Sequence, residues 1–259
     1  MTGQDRKEAK NDAAPVIKKQ TQILCRGSRL TRAVIFDLYE TLITHYNSPL
    51  YFGSAMAKDA GIEEDRFYEI WHSTEHDRTV GKITFEEVIE KILRENGRYS
   101  EDLLHHIVSN RRAVKADCFS HLHAEILPLL HGLKDRGLRL GLISNCFSEE
   151  AEIIRQSELF SLFDAALLSW EQGVAKPDRE IFSRCLSALS LPAEDCLYLG
   201  DGGSSELEAA EKAGMRAFQA VWYFREENPR YPSRRNPAFR QIQTPLEVLQ
   251  VLDEESFCF

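Results

Sequence analysis

Three apolar runs in this 259-residue chain end abruptly in groups that could do chemistry. Arg32-Ala33-Val34-Ile35-Phe36 runs into Asp37, Leu138-Arg139-Leu140-Gly141-Leu142-Ile143 into Ser144-Asn145, and Cys196-Leu197-Tyr198-Leu199-Gly200 into Asp201. Val34, Ile35 and Phe36 show no alternation of polarity, as in a parallel strand buried on both faces. A lone carboxylate inside a core would have to be paired or neutralised. At the carboxyl end of a strand in an open α/β sheet it stands instead in the crevice where such sheets bind ligands. Lys176 lies on the loop Gly173-Val174-Ala175-Lys176-Pro177-Asp178, between the second and third runs. Two carboxylates, a hydroxyl and an ammonium at one sheet edge suit a divalent cation and a phosphate-like anion. Hard oxygens hold Mg²⁺, while lysine and backbone N–H groups hold the oxyanion.

The elements that must position these groups follow from the pattern around them. From about 121 the chain alternates helix and strand: a helix through Ile126, Leu129, Leu130 and Leu133, a strand to Ser144, a helix near 148–157, a strand at 163–168, and a helix through Ile181, Phe182, Cys185 and Leu189. The strand to Asp201, the helix Glu206 to Ala213, the strand Met215 to Val221 and a last helix capped by Thr244 complete the series. This βαβα order predicts an α/β fold with a doubly wound parallel sheet covered on both faces. Residues 47–117 differ. Apolar residues recur there at helical spacing, Gly61, Gly81 and Gly97 punctuate them, and Thr84 with Glu87 forms a capping box. They predict a helical insertion of about four helices, with the α/β core in 30–46 and 118–259 and a polar arm in 1–29. Residues 225–240, rich in Pro and Arg, read as an irregular connector.

Composition limits the functional classes. A chain of this length with 43% hydrophobic content buries roughly 70–75% of its unfolded surface without disulfides or metal. A formal net charge of -9 argues against nucleic acid or an anionic membrane as partner. Six cysteines without a C-x-x-C pair suit a reducing, cytoplasmic compartment. No apolar run approaches a membrane span, and Asp5, Glu8 and Asp12 do not suit a transit peptide.

In set and order these groups resemble the haloacid dehalogenase-like (HAD) hydrolase superfamily, over about residues 30 to 224. The resemblance implies a Rossmann-like core with an α-helical cap inserted between the first and second motifs. Asp37 through Thr41 matches the first motif, with Asp37 as nucleophile. Ser144, beside Asn145, matches the second, a hydroxyl that holds the transferring group, and Lys176 the third, which offsets charge. Gly200-Asp201 with Glu206 matches the fourth, so that Asp37, Tyr39, Asp201 and Glu206 are the implied metal-binding positions. Closure of the cap over the core is the expected dynamic step.

Two departures shape the functional expectation. The family's phosphatases carry a second Asp two residues after the nucleophile, then a Gly, where this chain has Tyr39 and Glu40. Tyr at that position is shown by the haloacid dehalogenases, which need no general acid. Those enzymes, however, have Ser at the position of Asp201, Asn at that of Gly203, and an Arg after the Trp where His72 follows Trp71. The expected protein is a Mg²⁺-dependent phosphatase that acts through an aspartyl-phosphate on a small metabolite with a good leaving group. The alternatives are a metal-free hydrolase of a carbon–halogen bond and a retired binding or regulatory protein on the same fold. A small-molecule substrate is the expected partner; a homodimer is left open. Gly200-Asp201-Gly202-Gly203 half-imitates a dinucleotide fingerprint, but it lacks the third glycine and Asp201 would repel a pyrophosphate. His72 and His76 stand four apart without a third ligand, and Cys146 reads as a small turn residue.

Overall fold

The computed structural model describes residues 30–225 and 235–256. The arm at 1–29 and most of the 225–240 connector lie outside the described residues. Among these, six strands form one parallel sheet: β1 (Ala33–Phe36), β2 (Arg139–Ser144), β3 (Ala165–Leu168), β4 (Cys196–Gly200), β5 (Arg216–Ala220) and β6 (Arg240–Ile242). Their spatial order is β3-β2-β1-β4-β5-β6. β1 is central because none of its four residues has a face that tolerates water, and all four are fully buried. Val34 and Phe36 pack to one side with Leu140, Leu142, Leu197 and Leu199. Ala33 and Ile35 pack to the other with Ile143, Cys196 and Tyr198. Period-two alternation thus splits one continuous apolar run between two cores.

Helices cover both faces. Ile126, Leu129, Leu130 and Leu133 of α6 (Ile126–Asp135), and Val248 and Val251 of α11 (Glu247–Ser256), close the first core. The second is closed by Ile181, Phe182, Cys185 and Leu189 of α9 (Arg179–Leu189) and by Leu207 and Ala210 of α10 (Glu206–Lys212). The register pairs Phe36 with both Leu142 and Leu199. The chain fills the sheet from β1 outward to β3, then returns to β4 on the other side of β1. The strand ends beside β1 therefore form the switch point at which open α/β sheets bind ligands.

Between β1 and α6 the described residues form five α-helices: α1 (Gly53–Ala60), α2 (Glu64–Ser73), α3 (Glu75–Thr79), α4 (Phe85–Glu95) and α5 (Glu101–Asp117). One more helix forms than the spacing suggests, since the short α3 follows Thr74 with almost no apolar repeat. Phe67, Phe85, Ile89, Ile92 and Ile107 give this segment its own core. Thr84 and Glu87 form the expected reciprocal cap. Thr84→Ala is expected to cost about 1 kcal/mol, read as a lower urea midpoint at unchanged slope.

Candidate active site

The three strand ends meet as the parallel sheet requires. Asp37 follows β1, and its N–H donates to the Leu199 carbonyl at 2.9 Å, extending the β1–β4 ladder by one residue. That bond sets the Asp37 backbone beside the Gly200-Asp201 turn. A Cβ at Gly200 would stand 2.9 Å from Glu206 Oε1 and 3.3 Å from Asp37 Cβ, so glycine lets the two acids converge across it. Asp37, Asp201 and Glu206 each offer an oxygen within 4.8 Å of the others. All three are buried, with at most 6% exposure.

Lys176 is the cation in this acidic nest. Its Nζ donates to Asp37 Oδ1 and lies 3.4 Å from the Tyr198 hydroxyl. Burial alone would lower its pKa, but Asp37, Glu206 and Asp201 outweigh burial and hold the ammonium above its usual range. Burial also raises the Asp37 carboxyl, against the pull of Lys176 and with a further push from Glu206. Asn145 fixes the lysine's backbone: its amide donates to the Lys176 carbonyl at 2.9 Å and its Oδ1 accepts from the Lys176 N–H at 2.8 Å. Thr41 Oγ1 lies 3.4 Å from Asp37 Oδ2. Ser144 is fully buried at the end of β2, with its hydroxyl 3.4 Å from the Asn145 carbonyl. Glu206 accepts from the backbone N–H groups of Gly202 at 2.7 Å and Ser204 at 2.6 Å. It thereby folds the loop around Asp201 and retains a lone pair on each oxygen.

The side chains of Tyr39 and Glu40 both engage His45. Glu40 has φ 59°, the left-handed region that favours glycine, and a bulky residue there carries strain. Its carboxylate is fully engaged, accepting from Thr44 Oγ1, from the His45 N–H at 3.0 Å and from His45 Nδ1 at 3.1 Å. The Tyr39 ring stacks on His45 at 4.4 Å. Burial, then Glu150, pushes the Tyr39 phenol well above its usual pKa. Burial, Lys115 and Arg111 together push His45 well below its own, so the imidazole is neutral and its Nε2 meets Lys115 Nζ.

Lys115 belongs to a second buried network that the sequence reading missed. Arg111 and Lys115, one turn apart on α5, reach Glu149 and Glu150 at the start of α7 (Ser148–Gln156): Arg111 Nε to Glu149 Oε1 at 3.2 Å, Arg111 Nη2 to Glu150 Oε1 at 3.0 Å, and Lys115 Nζ to Glu150 Oε1. Two cations at i, i+4 beside Leu104, Ile107 and Val108 were the available signal. His72 and His76 are exposed, and His72 stacks on Tyr68 at 4.9 Å. Cys146 is buried and its thiol is pushed up by burial.

A cleft runs from the acids toward the helical segment. The lobe of about 440 Å³ at the acids is lined by Asp37, Lys176, Asp201, Asn145 and Ser204. An adjoining lobe of about 390 Å³ shares Tyr39, His45, Phe52 and Tyr68 with it and extends to Trp71, Phe147 and Arg111. Residues 31–214 match the family of haloacid dehalogenase-like hydrolases. The chain belongs to that family, and it is a hydrolase. It is 26% identical over 197 residues to a glyceraldehyde 3-phosphate phosphatase of Methanocaldococcus jannaschii, covering 72% of this chain and 83% of that one. It is equally 26% identical, over 241 residues, to an (S)-2-haloacid dehalogenase of Pseudomonas putida, covering 87% and 95%. The solved HAD phosphatase of Thermococcus onnurineus superposes with a TM-score of 0.57 at 17% identity, over 86% of this chain and 98% of that one. Among the described residues no helix is long and apolar enough to cross a membrane.

The buried network has a pH signature. Burial alone would raise Glu150, but Lys115 and Arg111 outweigh it and hold the carboxyl below its ordinary 4.5. A depressed acid contributes stability above its unfolded value and loses it as pH falls through the folded one. Glu150→Gln is therefore expected to cost about 3–5 kcal/mol near neutrality. The gap to wild type should close below pH 4.5, as read by urea unfolding across pH.

Proposed function

We propose that this hydrolase is a Mg²⁺-dependent phosphatase of a small phosphorylated metabolite with a good leaving group. The observation that carries it is the cluster of Asp37, Asp201 and Glu206 oxygens within 4.8 Å, with the Lys176 ammonium on Asp37. Three buried carboxylates that converge this closely are stabilised by positive charge between them. The donor set is all oxygen, which suits Mg²⁺. Asp37, Asp201 and Glu206, with the Tyr39 main chain, are its proposed holders. When bound, the ion supplies positive charge against the phosphoryl oxygens.

The chain's own residues divide the rest of the work. An Asp37 carboxylate oxygen attacks phosphorus, the bond to the leaving oxygen breaks, and that oxygen departs with the electron pair. Lys176 offsets negative charge on nucleophile and phosphoryl group, Asn145 keeps Lys176 in place, and Ser144 and Thr41 border the transferring group. Water then attacks the phosphorus of phosphoryl-Asp37, the aspartyl bond breaks, and phosphate leaves as the water proton passes to solvent. Tyr39 supplies no carboxylic acid two residues after the nucleophile, and the Glu40 carboxylate is occupied by Thr44 and His45. General acid catalysis contributes about 10²–10⁴-fold, so leaving groups that depart unprotonated are favoured. The five helices at 53–117 act as the cap that shields this chemistry, and the reduced, buried Cys118, Cys146, Cys185 and Cys196 suit a cytoplasmic setting.

Tyr39 also supports a second reading, hydrolysis of a carbon–halogen bond, which halide release from 2-haloacids tests. The phosphatase reading is tested by phosphate release from acetyl, aryl and alkyl phosphates with Mg²⁺ or chelator. Turnover is expected with Mg²⁺, with aryl and acyl phosphates ahead of alkyl by about 10²-fold or more. It should vanish with chelator and in Asp37→Asn. Turnover that persists in chelator would contradict the reading.

A further inference from the structure

Beyond the acids, the cleft is walled by rings. Tyr39 and Phe147 from the core, with Phe52, Tyr68 and Trp71 from the helical segment, line it, and all five are half-buried. Neighbours hold each ring in place. Tyr39 stacks on His45 at 4.4 Å, Phe52 meets the same imidazole edge-on at 5.6 Å, and Tyr68 stacks on His72 at 4.9 Å. The Arg78 guanidinium, fully buried, lies 3.5 Å from the Trp71 ring centroid and 4.3 Å from that of Phe147. The backbone also makes room for one of them. A Cβ at Gly53 would stand 2.6 Å from Cε1 and Cζ of Tyr68, so any larger residue at the start of α1 would displace that ring.

Arg111 and Lys115 are already paired with Glu149 and Glu150. The other carboxylate on the wall, Glu75, would repel negative charge. What remains is a lobe of about 390 Å³, within the range of ligand pockets, whose apolar surface comes mainly from the five rings. Such surfaces favour flat π-systems in stacked or edge-to-face contact over saturated or polyhydroxylated groups.

We propose that this aromatic box seats the leaving group, and that the substrates are monophosphate esters of a neutral, planar aromatic alcohol. The inference rests on the phosphatase reading and deepens it. In the first step the bond from the Asp37 oxygen to phosphorus forms, the aryl O–P bond breaks, and the aryl oxide departs carrying the electron pair. It takes its proton from water afterwards, which removes the need for an acid where Tyr39 stands. Tyr39 thus provides a wall in the position of a proton donor, and one substitution accounts for both the chemistry and the shape.

The test compares phenylphosphonate with cyclohexylphosphonate at a pH above the second ionisation of both, where they share charge and carbon count and differ in the flat ring. Binding to the full chain with Mg²⁺ is measured by calorimetry, beside phosphate release from acetyl phosphate. Phenylphosphonate is expected to bind about tenfold tighter, with the ratio falling toward one in Tyr68→Leu and persisting in Tyr68→Phe. Phe52→Leu serves as the second variant should Tyr68→Leu not fold, with the same expected fall. Equal binding of the two phosphonates, preference for the cyclohexyl compound, or acetyl phosphate turnover without binding of either would overturn the box and leave the phosphatase reading standing. Absence of both binding and acetyl phosphate turnover would overturn that reading and the box with it.

Discussion

The contact on which the site depends is the buried pair of Lys176 and Asp37 at the sheet's switch point. Neither group would be stable there alone, because an unpaired ion in a core costs several kcal/mol or loses its charge. Burial of the lysine is opposed by the acids around it, and the ammonium stays charged. Asp201 and Glu206 add two further buried carboxylates beside that pair. Glu206 spends one lone pair of each oxygen on the Gly202 and Ser204 N–H groups, so the loop is rigid around an acidic centre. A site built this way carries an electrostatic cost that the proposed cation would lower.

A second buried charge cluster joins the helical segment to the core. Arg111 and Lys115 reach the first turn of α7, which begins four residues after Ser144. Arg78 sits between Trp71 and Phe147 across the same boundary, and Phe85 N–H donates to Ser148 Oγ at 2.9 Å. Removing one partner of a buried pair costs about 3–5 kcal/mol, so wide separation along this seam is unfavourable. On the mouth side, where α1 and α2 meet the cleft, Phe52 and Tyr68 are half-buried, and Arg111 Nη1 donates to the neighbouring Tyr51 carbonyl at 3.2 Å.

Much of this architecture was legible in the chain. Asp37, Ser144, Asn145 and Asp201 stood out because a charged or polar residue closing an apolar run has few structural explanations, whereas Lys176, on a loop, stood out only by its place between the second and third runs. The parallel order followed from alternating periodicities, and the capping box at Thr84 and Glu87 from a local rule. What was not legible depended on side chains meeting across long separations. Arg111 and Glu149 are remote in sequence and look like ordinary surface charges until α5 packs on α7. The left-handed backbone at Glu40 is different: its bonds to Thr44 and His45 are local, and the glycine that the family's phosphatases carry at this position was the available signal. Glu206 illustrates the limit of motif reasoning: the pattern identifies an acid, and the folded chain shows it also organising the loop.

The central claim is that the Asp37, Asp201, Glu206 and Lys176 cluster is built for a divalent cation and a phosphoryl group at once. Thermal unfolding with Mg²⁺, with beryllium fluoride, and with both tests it directly, since a ligand that binds only the folded state raises the midpoint. The account predicts a clear rise with Mg²⁺ and beryllium fluoride together, far above either alone, that disappears in Asp37→Asn. A midpoint unmoved by the combination, or moved equally in Asp37→Asn, would contradict it.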